Sequence, residues 1–570
     1  MRLNDGLALL VALLVAAALG VLGTSTFSPA PADSDPAGFS AMRAMVDIER
    51  IAAKPHPTGS QADAEVRAYL KQRLGALGLT VTEQVSSLSE HGAEGLAQWS
   101  GQVGPPPPVV SLIGILPGRD RSLPAVLLMA HHDTVWGSPG APDDTTGVAT
   151  ILETVRALAH DGKPARDLIV LFTDAEELGL NGARAFFADN PLRYRVGGVI
   201  NLESRGGGGR ATLFETSRNN GNAVRRYIDV AKRPAGSSLS VFVYKLLPNN
   251  TDLTEALGGD YAAYNLAFIG RPGLYHSPLA TPARLDKGTV QDIGDQTLAL
   301  TRELAGARPL PGPAPDIVFF DVFGLAMAHY PGWIGWLMLA VGAIGLGLGA
   351  WRAPREARAW WRELGAPLRV IGLFAATVLV LFALNAVSGA IGPVNYYDRL
   401  AALARLEAVA LAGALAVFAA LFAGWRASAR TSAFAALPLF MLAIALQAVA
   451  PTAAYVAVVP LLLVGLGQLG NLARNPVVGR LTAATAAALV TGYMVQFGHQ
   501  LVQGVGNDLL PAATLPFVFA AFSWLPLWPG LSRRSALTAT AVLLAVAVAI
   551  ALWVRLDPVA ASAAVYSTFK

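Results

Sequence analysis

The stretch AVLLMAHHD (125–133) decides the fold of the N-terminal half, because a continuous apolar run ends there in polar residues. Such a run is typical of a strand buried on both faces of an α/β sheet. Two similar runs follow, DLIVLFTDAEE (167–177) and GGVINLES (197–204), and both end in acidic residues. The intervening segments 147–160 and 180–189 have helical apolar spacing. This alternation predicts an α/β domain with a mixed, largely parallel sheet flanked by helices.

Three further segments are expected to be strands of the same domain. VVSLIGILPG (109–118) precedes the first run, and SVFVYKLL (240–247) and LAFIGRPG (266–273) come after the others. In open α/β sheets the functional site lies at the carboxyl ends of the strands. Polar residues collect at those ends in this sequence.

The first polar cluster is His131-His132-Asp133. Residues i and i+2 of a strand share a face, so His131 and Asp133 are expected to point together and His132 to point away. Asp133 can then accept the proton of the second ring nitrogen of His131, which is how a metal-binding histidine is oriented. Taken alone, the same pattern also fits an ordinary core or surface position.

The other candidate motifs also have ordinary structural explanations when each is taken alone. The acids of GAPDDTTG (140–147) fit the first turn of a helix. The adjacent Glu176 and Glu177 fit a solvated loop, although their side chains must diverge and can therefore have different roles. Glu203 ends a strand, and Tyr275-His276-Ser277 follows a later one.

The chemistry of the whole set points to a metal centre. The chain has no cysteine and only 8 histidines, so any metal must be held by imidazole and carboxylate groups. Burying this many carboxylates without cations would be very costly, and two zinc ions would offset that cost. Oxygen ligands with imidazole suit zinc, with Co²⁺ or Mn²⁺ as substitutes.

The motifs together resemble those of a known family. AHHDTVWGSPGAPDDTTGVA, FTDAEELGLNGAR, VINLES and YHS resemble the dizinc peptidases of family M28, which includes secreted bacterial leucyl aminopeptidases and glutamate carboxypeptidase II. PHPTGS (55–60) and the apolar runs after the domain resemble its membrane-bound branch, which contains endoplasmic reticulum metallopeptidase 1 and the vacuolar membrane proteases. The resemblance covers roughly residues 40–305 by motif and implies a fold of the zinc-exopeptidase type.

The resemblance also implies a set of metal ligands. His131 and Glu203 would bind one zinc ion, and Glu177 and His276 would bind the other. Asp143 would bridge the two ions. Many relatives have Asp where this chain has Glu203.

Catalytic roles follow from the same resemblance. Glu176 would be the general base that takes a proton from a water activated by the two metals and passes it to the leaving amine. Tyr275 would help to hold the developing oxyanion. The implied activity is that of a zinc-dependent exopeptidase acting on peptides, with an aminopeptidase favoured. Carboxypeptidase and glutaminyl cyclase are alternatives within the family.

Overall composition indicates a second, membrane-embedded part. The 570 residues are 53% hydrophobic and 14% charged, whereas a soluble domain is about 25% charged. Residues 6–26 form one uncharged apolar run, and runs of about 20 residues, enough to span a bilayer as helices, recur from Trp333 onward. We place eight of them near 331–350, 368–390, 403–424, 432–450, 454–473, 481–500, 509–528 and 535–554.

Arginines in alternate loops predict the orientation, since basic residues accumulate on the cytoplasmic side. The loops between these basic ones are nearly free of basic residues. This pattern puts Met1 in the cytoplasm and residues 27–330 on the opposite side. The first run fits a retained anchor better than a cleaved signal peptide, whose apolar core is shorter. The basic loops contain Arg352, Arg355, Arg358, Arg362, Arg369, Arg426, Arg430, Arg474, Arg480, Arg533 and Arg534.

These observations predict a multi-pass membrane protein whose peptidase domain lies outside the cytoplasm, in the periplasm or extracellular space of a bacterium or in the lumen of a eukaryotic compartment. The expected segments are an anchor (1–26), a linker (27–39), the dizinc peptidase domain (40–310), a second linker (311–330), the transmembrane helices (331–556) and a short non-cytoplasmic tail (557–570).

Other features have weaker functional interpretations. The small net charge of +4 does not indicate nucleic-acid binding, and we expect a peptide substrate and the lipid bilayer as partners. No protein partner is indicated. We expect His56 to be structural, Gly206–Gly209 to form a mobile loop near the site, and the polar residues of the membrane runs to make helix–helix contacts. The competing function is a transport or scaffold protein with a non-catalytic peptidase-like domain.

Overall fold

The computed structural model describes residues 3–101, 104–247, 249–353, 360–392, 396–425, 428–473, 475–528 and 530–557. Two compact units are present. One comprises residues 25–321, and the other comprises helix α1 (Leu3–Thr24) together with the described residues between 322 and 557. Arg355, Arg358, Arg426, Arg474 and the tail beyond Asp557 lie outside the described residues. The segment boundaries expected from the sequence stay predictions.

The unit of residues 25–321 is built around a seven-stranded sheet with the order β1-β2-β4-β3-β5-β7-β6. The four strands β4, β3, β5 and β7 run parallel, and β1, β2 and β6 are antiparallel to their neighbours. The predicted mixed, largely parallel sheet is therefore confirmed. The strands are β1 (Thr80–Ser87), β2 (Pro108–Leu116), β3 (Ala125–His131), β4 (Leu168–Thr173), β5 (Val196–Ser204), β6 (Thr212–Thr216) and β7 (Ala262–Phe268).

Helices pack against both faces of this sheet. Phe186 of α6 and Leu253 of α9 join Leu127, Met129 and Leu171 of the central strands in one buried cluster. Helix α5 packs against β3, α2 and α10. The helices of the unit are α2 (Ala41–Ile51), α3 (Gln61–Ala76), α4 (Glu90–Ser100), α5 (Thr146–Leu158), α6 (Asn181–Asp189), α7 (Gly221–Val230), α8 (Ser238–Tyr244), α9 (Asp252–Ala256) and α10 (Lys287–Ala305).

One predicted strand is wrong. Residues 240–247 were expected to be extended because the segment is rich in valine and aromatic residues, but Ser238–Tyr244 forms helix α8. The side chain of Ser237 accepts a hydrogen bond from the backbone N–H of Ser240 and so starts this helix. The place beside β7 that such a strand could occupy is taken by β6.

The second unit contains eight helices, among its described residues, that are long and apolar enough to cross a membrane. They confirm the eight predicted runs. Strand β8 (Ile317–Val322), most of which belongs to the unit of residues 25–321, and strand β9 (Ala326–Pro331) precede these helices in the chain. Helices α15 and α16 together form one of the eight apolar stretches, and the short α13 is not among the eight. The elements are α11 (Ile334–Arg352), α12 (Trp360–Asn385), α13 (Tyr396–Leu400), α14 (Leu403–Leu421), α15 (Ala429–Ala435), α16 (Leu437–Val449), α17 (Tyr455–Leu469), α18 (Pro476–Val505), α19 (Thr514–Trp524) and α20 (Arg533–Leu556).

Helix α1 packs closely against α18. Ala12 and Ala16 of α1 share a buried cluster with Ala484 and Ala488 of α18. Small side chains at such an interface let two helix backbones approach closely, which is a common basis of helix packing in membranes. The N-terminal apolar run is thus one of the packed helices of this unit.

The polar residues of the membrane runs contact neighbouring segments, as predicted. The Asn385 side chain donates to the backbone oxygens of Asn507 and Asp508 at 3.1 and 3.0 Å. Nδ1 of His499 lies 2.8 Å from a carboxylate oxygen of Glu407 on another helix. The first contact satisfies a buried amide, since Asn385 is 3% exposed, and the second pairs two partly exposed side chains.

Gly182, at the start of α6, offers a test of how tightly the end of β4 is packed. A Cβ atom there would lie 2.6 Å from both the backbone oxygen of Asp174 and Oγ of Ser111. We expect Gly182→Ala to lower the Tm of the purified protein by several degrees, because backbone atoms must move. The matched control is Gly75→Ala in α3, whose new Cβ would meet no atom within 4 Å. That control should be neutral or slightly stabilising, and an equal loss of Tm in both variants would contradict the packing described here.

Candidate metal centre

The strand ends bring the predicted ligands together. His131 is the last residue of β3, Glu203 lies at the end of β5, and Glu177 follows β4. Asp143 lies in a π-type turn at Ala141–Thr145, immediately before α5. His276 follows a short 3₁₀ turn after β7. Parallel strands place their carboxyl ends at one edge of the sheet, which is why residues so far apart in sequence meet.

The five side chains form two groups of three that share Asp143. Nε2 of His131 lies 3.1 Å from Oδ1 of Asp143 and 3.8 Å from Oε1 of Glu203. Nε2 of His276 lies 3.5 Å from Oδ2 of Asp143 and 3.1 Å from Oε2 of Glu177. Within each group, one potential ligand atom per residue lies within 4.8 Å of the others. Asp143 therefore presents one oxygen to each group.

These donors suit divalent zinc. Their side chains are 1–13% exposed, and all of the donor atoms are imidazole nitrogens or carboxylate oxygens. Tetrahedral zinc sites use such nitrogen and oxygen ligands. The shared carboxylate fits a bridge between two cations, so the residues present fit the metal chemistry implied by the sequence.

Electrostatics support the same conclusion. Burial raises the pKa of Glu177 to about 7 and raises that of Glu176 well above its usual value, with neighbouring acids adding to the effect on Glu176. Burial opposes the charge of His276, but Glu177 and Asp143 outweigh it and raise the pKa of His276 to about 9. Burial likewise opposes ionisation of Asp143, yet His131 and His276 hold its pKa below the usual value. Without a cation the site must therefore hold protons instead.

Asp133 contacts His131 in a different way from the one expected. The strand ends at His131, so the backbone turns, and Nδ1 of His131 lies 3.0 Å from the backbone oxygen of Asp133. The Asp133 carboxylate lies 3.5 Å from the same nitrogen. Its two oxygens accept the backbone N–H groups of Glu176 and Glu177 at 3.1 and 3.3 Å. Asp133 thus connects His131 to the turn that carries both glutamates.

The turn after β4 separates the two adjacent acids, as expected. Ala175 has a φ of 59°, a left-handed conformation that costs a non-glycine residue free energy. Glu177 reaches His276, whereas the charge of Glu176 is coupled to His131 and Glu203. The Asn181 side chain donates to the backbone oxygens of Ala175 and Leu178 and helps to hold this turn.

Tyr275 lies against the second group of ligands. Its ring stacks on the imidazole of His276, with the centroids 3.7 Å apart and the planes 22° from parallel. The guanidinium of Arg205 lies 5.9 Å from the centroid of the same ring. This position is compatible with the oxyanion role implied by the sequence, which stays a prediction.

The glycine loop is ordered by close backbone contacts. The backbone N–H of Gly208 donates to the oxygen of Gly270 at 2.9 Å. A Cβ at Gly206 would lie 2.2 Å from that same oxygen, so glycine is required for this approach. The loop expected to be mobile is therefore packed against the segment that leads to His276.

Sequence reasoning missed a second polar cluster. His132 points away from the candidate ligands, as predicted, and its Nδ1 lies 3.1 Å from Oδ1 of Asp63. Asp174 and Arg67 belong to the same buried cluster. His56 lies nearby, and its backbone N–H donates to the Thr134 hydroxyl at 3.0 Å. The available signal was PHPTGS (55–60), a turn-rich motif directly before the helix that carries Asp63.

Part of this chain is similar to known proteins. The sequence profile described as Peptidase family M28 matches residues 111–301. Endoplasmic reticulum metallopeptidase 1 of Mus musculus is 32% identical over 235 residues, which cover 40% of this chain and 26% of the relative. A vacuolar membrane protease of Yarrowia lipolytica is 34% identical over 235 residues, covering 40% of this chain and 23% of the relative. The matched region thus spans about a quarter of the length of these relatives.

Two solved structures also match. An aminopeptidase from Aneurinibacillus sp. aligns at 14% identity with a TM-score of 0.37, covering 49% of this chain and 97% of that one. A Zn-dependent exopeptidase from Parabacteroides distasonis aligns at 19% identity with a TM-score of 0.38, covering 48% and 99%. The profile match includes all five candidate ligands and both glutamates of the turn after β4. Residues 111–301 therefore match the profile of Peptidase family M28, and the described part of the same chain also contains eight helices apolar enough to cross a membrane.

Proposed function

We propose that this protein is a membrane-bound, zinc-dependent exopeptidase, and more specifically an aminopeptidase. The observation that carries the proposal is the pair of three-residue groups that share Asp143, with Glu176 beside them. A peptidase domain of family M28 together with apolar helices long enough to span a bilayer supports both the activity and the membrane location.

Two zinc ions would be held by the five ligands. His131 and Glu203 would hold the first ion, Glu177 and His276 the second, and Asp143 both. When bound, the ions would supply Lewis-acid polarisation of the scissile carbonyl and would lower the pKa of the attacking water.

Glu176 is the residue of the chain that moves the proton. Its carboxylate is mostly buried, and burial makes it a stronger base than a carboxylate in water. It takes the proton of the attacking water and delivers it to the nitrogen of the leaving amine. Asp133 keeps this base in place by holding the backbone N–H of Glu176. The Tyr275 hydroxyl would donate a hydrogen bond to the developing oxyanion.

The charge of the site favours the amino end of a peptide. The nearby carboxylates outnumber the positive charges of two divalent cations, so a net negative charge remains to attract an α-ammonium group. A C-terminal carboxylate would be repelled by the same charge. The carboxylates concerned are those of Asp133, Asp143, Glu176, Glu177 and Glu203.

A peptide digest tests the activity and the end preference together. We expect the purified full-length protein to release N-terminal amino acids from peptides with a free amino end, and N-acetylation but not C-amidation should block release. Chelation should abolish the activity. Glu176→Gln should lower kcat by about 10²–10⁴-fold with metal still bound, because proton transfer is lost. The control is Glu94→Gln on the exposed face of α4.

Four outcomes would contradict the proposal. Full activity in Glu176→Gln with bound metal would exclude the assigned base. Release from the carboxyl end would indicate a carboxypeptidase, and cyclisation of N-terminal glutamine would indicate a glutaminyl cyclase. Ligand binding with neither turnover nor bound zinc would favour a non-catalytic domain.

Zinc affinity should depend on pH, because the ligands must lose protons to bind metal. In the metal-free protein His276, with a pKa of about 9, is mostly protonated at pH 7, and Glu177, with a pKa of about 7, is partly protonated. Affinity should therefore rise between pH 6 and 9, by up to about tenfold per pH unit for each proton displaced. Isothermal titration with chelator-buffered zinc in buffers of different ionisation enthalpy measures both the affinity and the protons released. An affinity independent of pH in this window would contradict the assigned ligands.

We further propose that the peptidase domain lies on the non-cytoplasmic side of the membrane, as the arginines of alternate loops indicate. The chain has no cysteine, so single cysteines can be introduced and labelled without background. In spheroplasts of a bacterial expression host, a membrane-impermeant maleimide should label Ala97→Cys of α4 directly. It should label Ala473→Cys, in a predicted cytoplasmic loop, only after permeabilisation. Both positions are exposed, and the reverse pattern would invert the proposed topology.

A further inference from the structure

A layer of buried polar side chains lies behind the candidate metal ligands, on the other face of β3. The imidazole of His132 lies between two oxygen atoms: Nδ1 is 3.1 Å from Oδ1 of Asp63, and Nε2 is 3.2 Å from the backbone oxygen of Val110. His132 and Asp63 are at most 1% exposed. Arg67 pairs with Asp63 across one turn of α3. None of these groups is used by the mechanism proposed above.

The oxygen atoms of this layer are largely committed to hydrogen bonds. Oδ2 of Asp174 accepts the backbone N–H of Val110 at 2.8 Å, and Oδ1 accepts the hydroxyl of Thr58 at 2.9 Å. Oδ2 of Asp63 accepts the backbone N–H of Gly59 at 3.3 Å in addition to its ion pair with Arg67. The guanidinium of Arg67 lies 3.9 Å from Asp174 and supplies positive charge to both acids. The cluster is therefore an ion-pair network in which Arg67 and His132 lie beside the buried acids Asp63 and Asp174.

Thr58 connects this network to the candidate active site. Its hydroxyl oxygen lies 2.9 Å from Asp174 and 3.5 Å from Oδ2 of Asp133. That same oxygen of Asp133 accepts the backbone N–H of Glu177, and the other accepts that of Glu176. The Thr58 hydroxyl thus lies between two carboxylates. That of Asp133 holds the turn with Glu176 and Glu177, and that of Asp174 lies at the start of the same turn.

The segment that carries Thr58 is itself firmly held. The backbone N–H of Ser60 donates to the oxygen of Pro57 at 3.0 Å, and the Ser60 side chain caps α3. Gly59 has a φ of 76°, and a Cβ there would lie 2.3 Å from the Pro107 ring. Two residues before Thr58, the backbone N–H of His56 donates to the Thr134 hydroxyl. Thr58 is therefore presented from a turn with little freedom to move.

We propose that Thr58 is a positioning residue for the Glu176–Glu177 turn, acting through Asp133. Asp133 and Asp174 are both buried and both acidic, and like charges repel strongly where water is excluded. The Thr58 hydroxyl separates them and donates to one. Without the hydroxyl, Asp133 loses the polar group that separates it from Asp174, and a shift of its carboxylate would disturb its bonds to the backbone N–H groups of Glu176 and Glu177. The turn has a left-handed Ala175 and depends on those bonds for its shape.

The inference rests on the proposed function, and its test separates the two. Thr58→Val keeps the shape and removes the hydroxyl, Thr58→Ser keeps the hydroxyl, and Thr297→Val removes a buried threonine hydroxyl from α10, away from the network. The full-length proteins are compared for kcat, KM, Tm and stepwise zinc affinity. Outer hydrogen-bond partners of metal sites typically contribute 10–100-fold to affinity or activity.

We expect Thr58→Val to lower kcat about tenfold and to weaken the second zinc about tenfold, with KM within about twofold of wild type. Thr58→Ser should restore most of both losses, and Thr297→Val should resemble wild type. A Tm loss without these effects would indicate a merely structural residue. If Thr58→Val does not fold, Thr58→Ala provides the same comparison.

Three results would overturn the inference. The first is that Thr58→Val matches Thr297→Val in kcat and zinc affinity. The second is that the loss of kcat in Thr58→Val equals the fraction of that protein that is unfolded. The third is that Thr58→Ser is as defective as Thr58→Val. A wild-type protein without chelator-sensitive turnover would contradict the proposed function instead. In that case the zinc affinities of the same variants still decide the role of Thr58.

Discussion

The arrangement of the candidate site depends on one carboxylate, that of Asp133. Its two oxygens hold the backbone N–H groups of Glu176 and Glu177, and the same residue contacts His131 through its backbone oxygen. A candidate ligand of one metal group, a candidate ligand of the other and the proposed base therefore all contact a single residue. Because Asp133 is 1% exposed, water cannot replace these bonds if the carboxylate moves.

Charge is the second constraint on this region. Each buried ion costs roughly several kcal/mol unless a partner compensates it, and the acids outnumber the histidines at these strand ends. The buried charges lie in two layers, one on each face of β3. On one face of β3 the ion-pair network of Asp63, His132 and Arg67 balances itself with protein groups. On the other face the ligands lack such cations, and divalent metals are the natural compensation. In a chain without cysteine, imidazole and carboxylate are the only strong zinc ligands available.

Composition alone describes neither unit of this protein. The average of 53% hydrophobic residues combines an α/β domain of ordinary polarity with helices that expose leucine, valine and phenylalanine side chains on their outer faces. An apolar outer surface is costly in water and favourable in lipid. Within the helical unit, small residues allow the close helix packing, whereas larger apolar side chains fill the core of the unit of residues 25–321. Gly342 and Gly465, for example, bring the backbones of α11 and α17 into direct contact.

Sequence reasoning succeeded where the signal is local and failed where contacts are distant. The strand around Leu127 was predictable because a run buried on both faces is apolar throughout. The helix near Val241 was not predictable from its own residues. It depends on the cap formed by Ser237, and the place beside β7 is already filled by β6. The order of polar motifs at predicted strand ends suggested a metal centre, and the resemblance to family M28 implied which residues would be its ligands.

No local sequence pattern predicts the contact between Thr58 and Asp133. Their bond spans 75 residues and joins a turn to a strand end that are unrelated in pattern. The alternation of faces did predict that His132 points away from His131, but it could not say what His132 would meet. A strand residue buried on the far side of a catalytic strand still needs partners if it is polar. In this protein those partners come from the turn 55–60 and from α3, and the same elements reach back to Asp133. A buried histidine next to a candidate ligand in sequence therefore indicates a second layer of polar side chains on the opposite face of the strand.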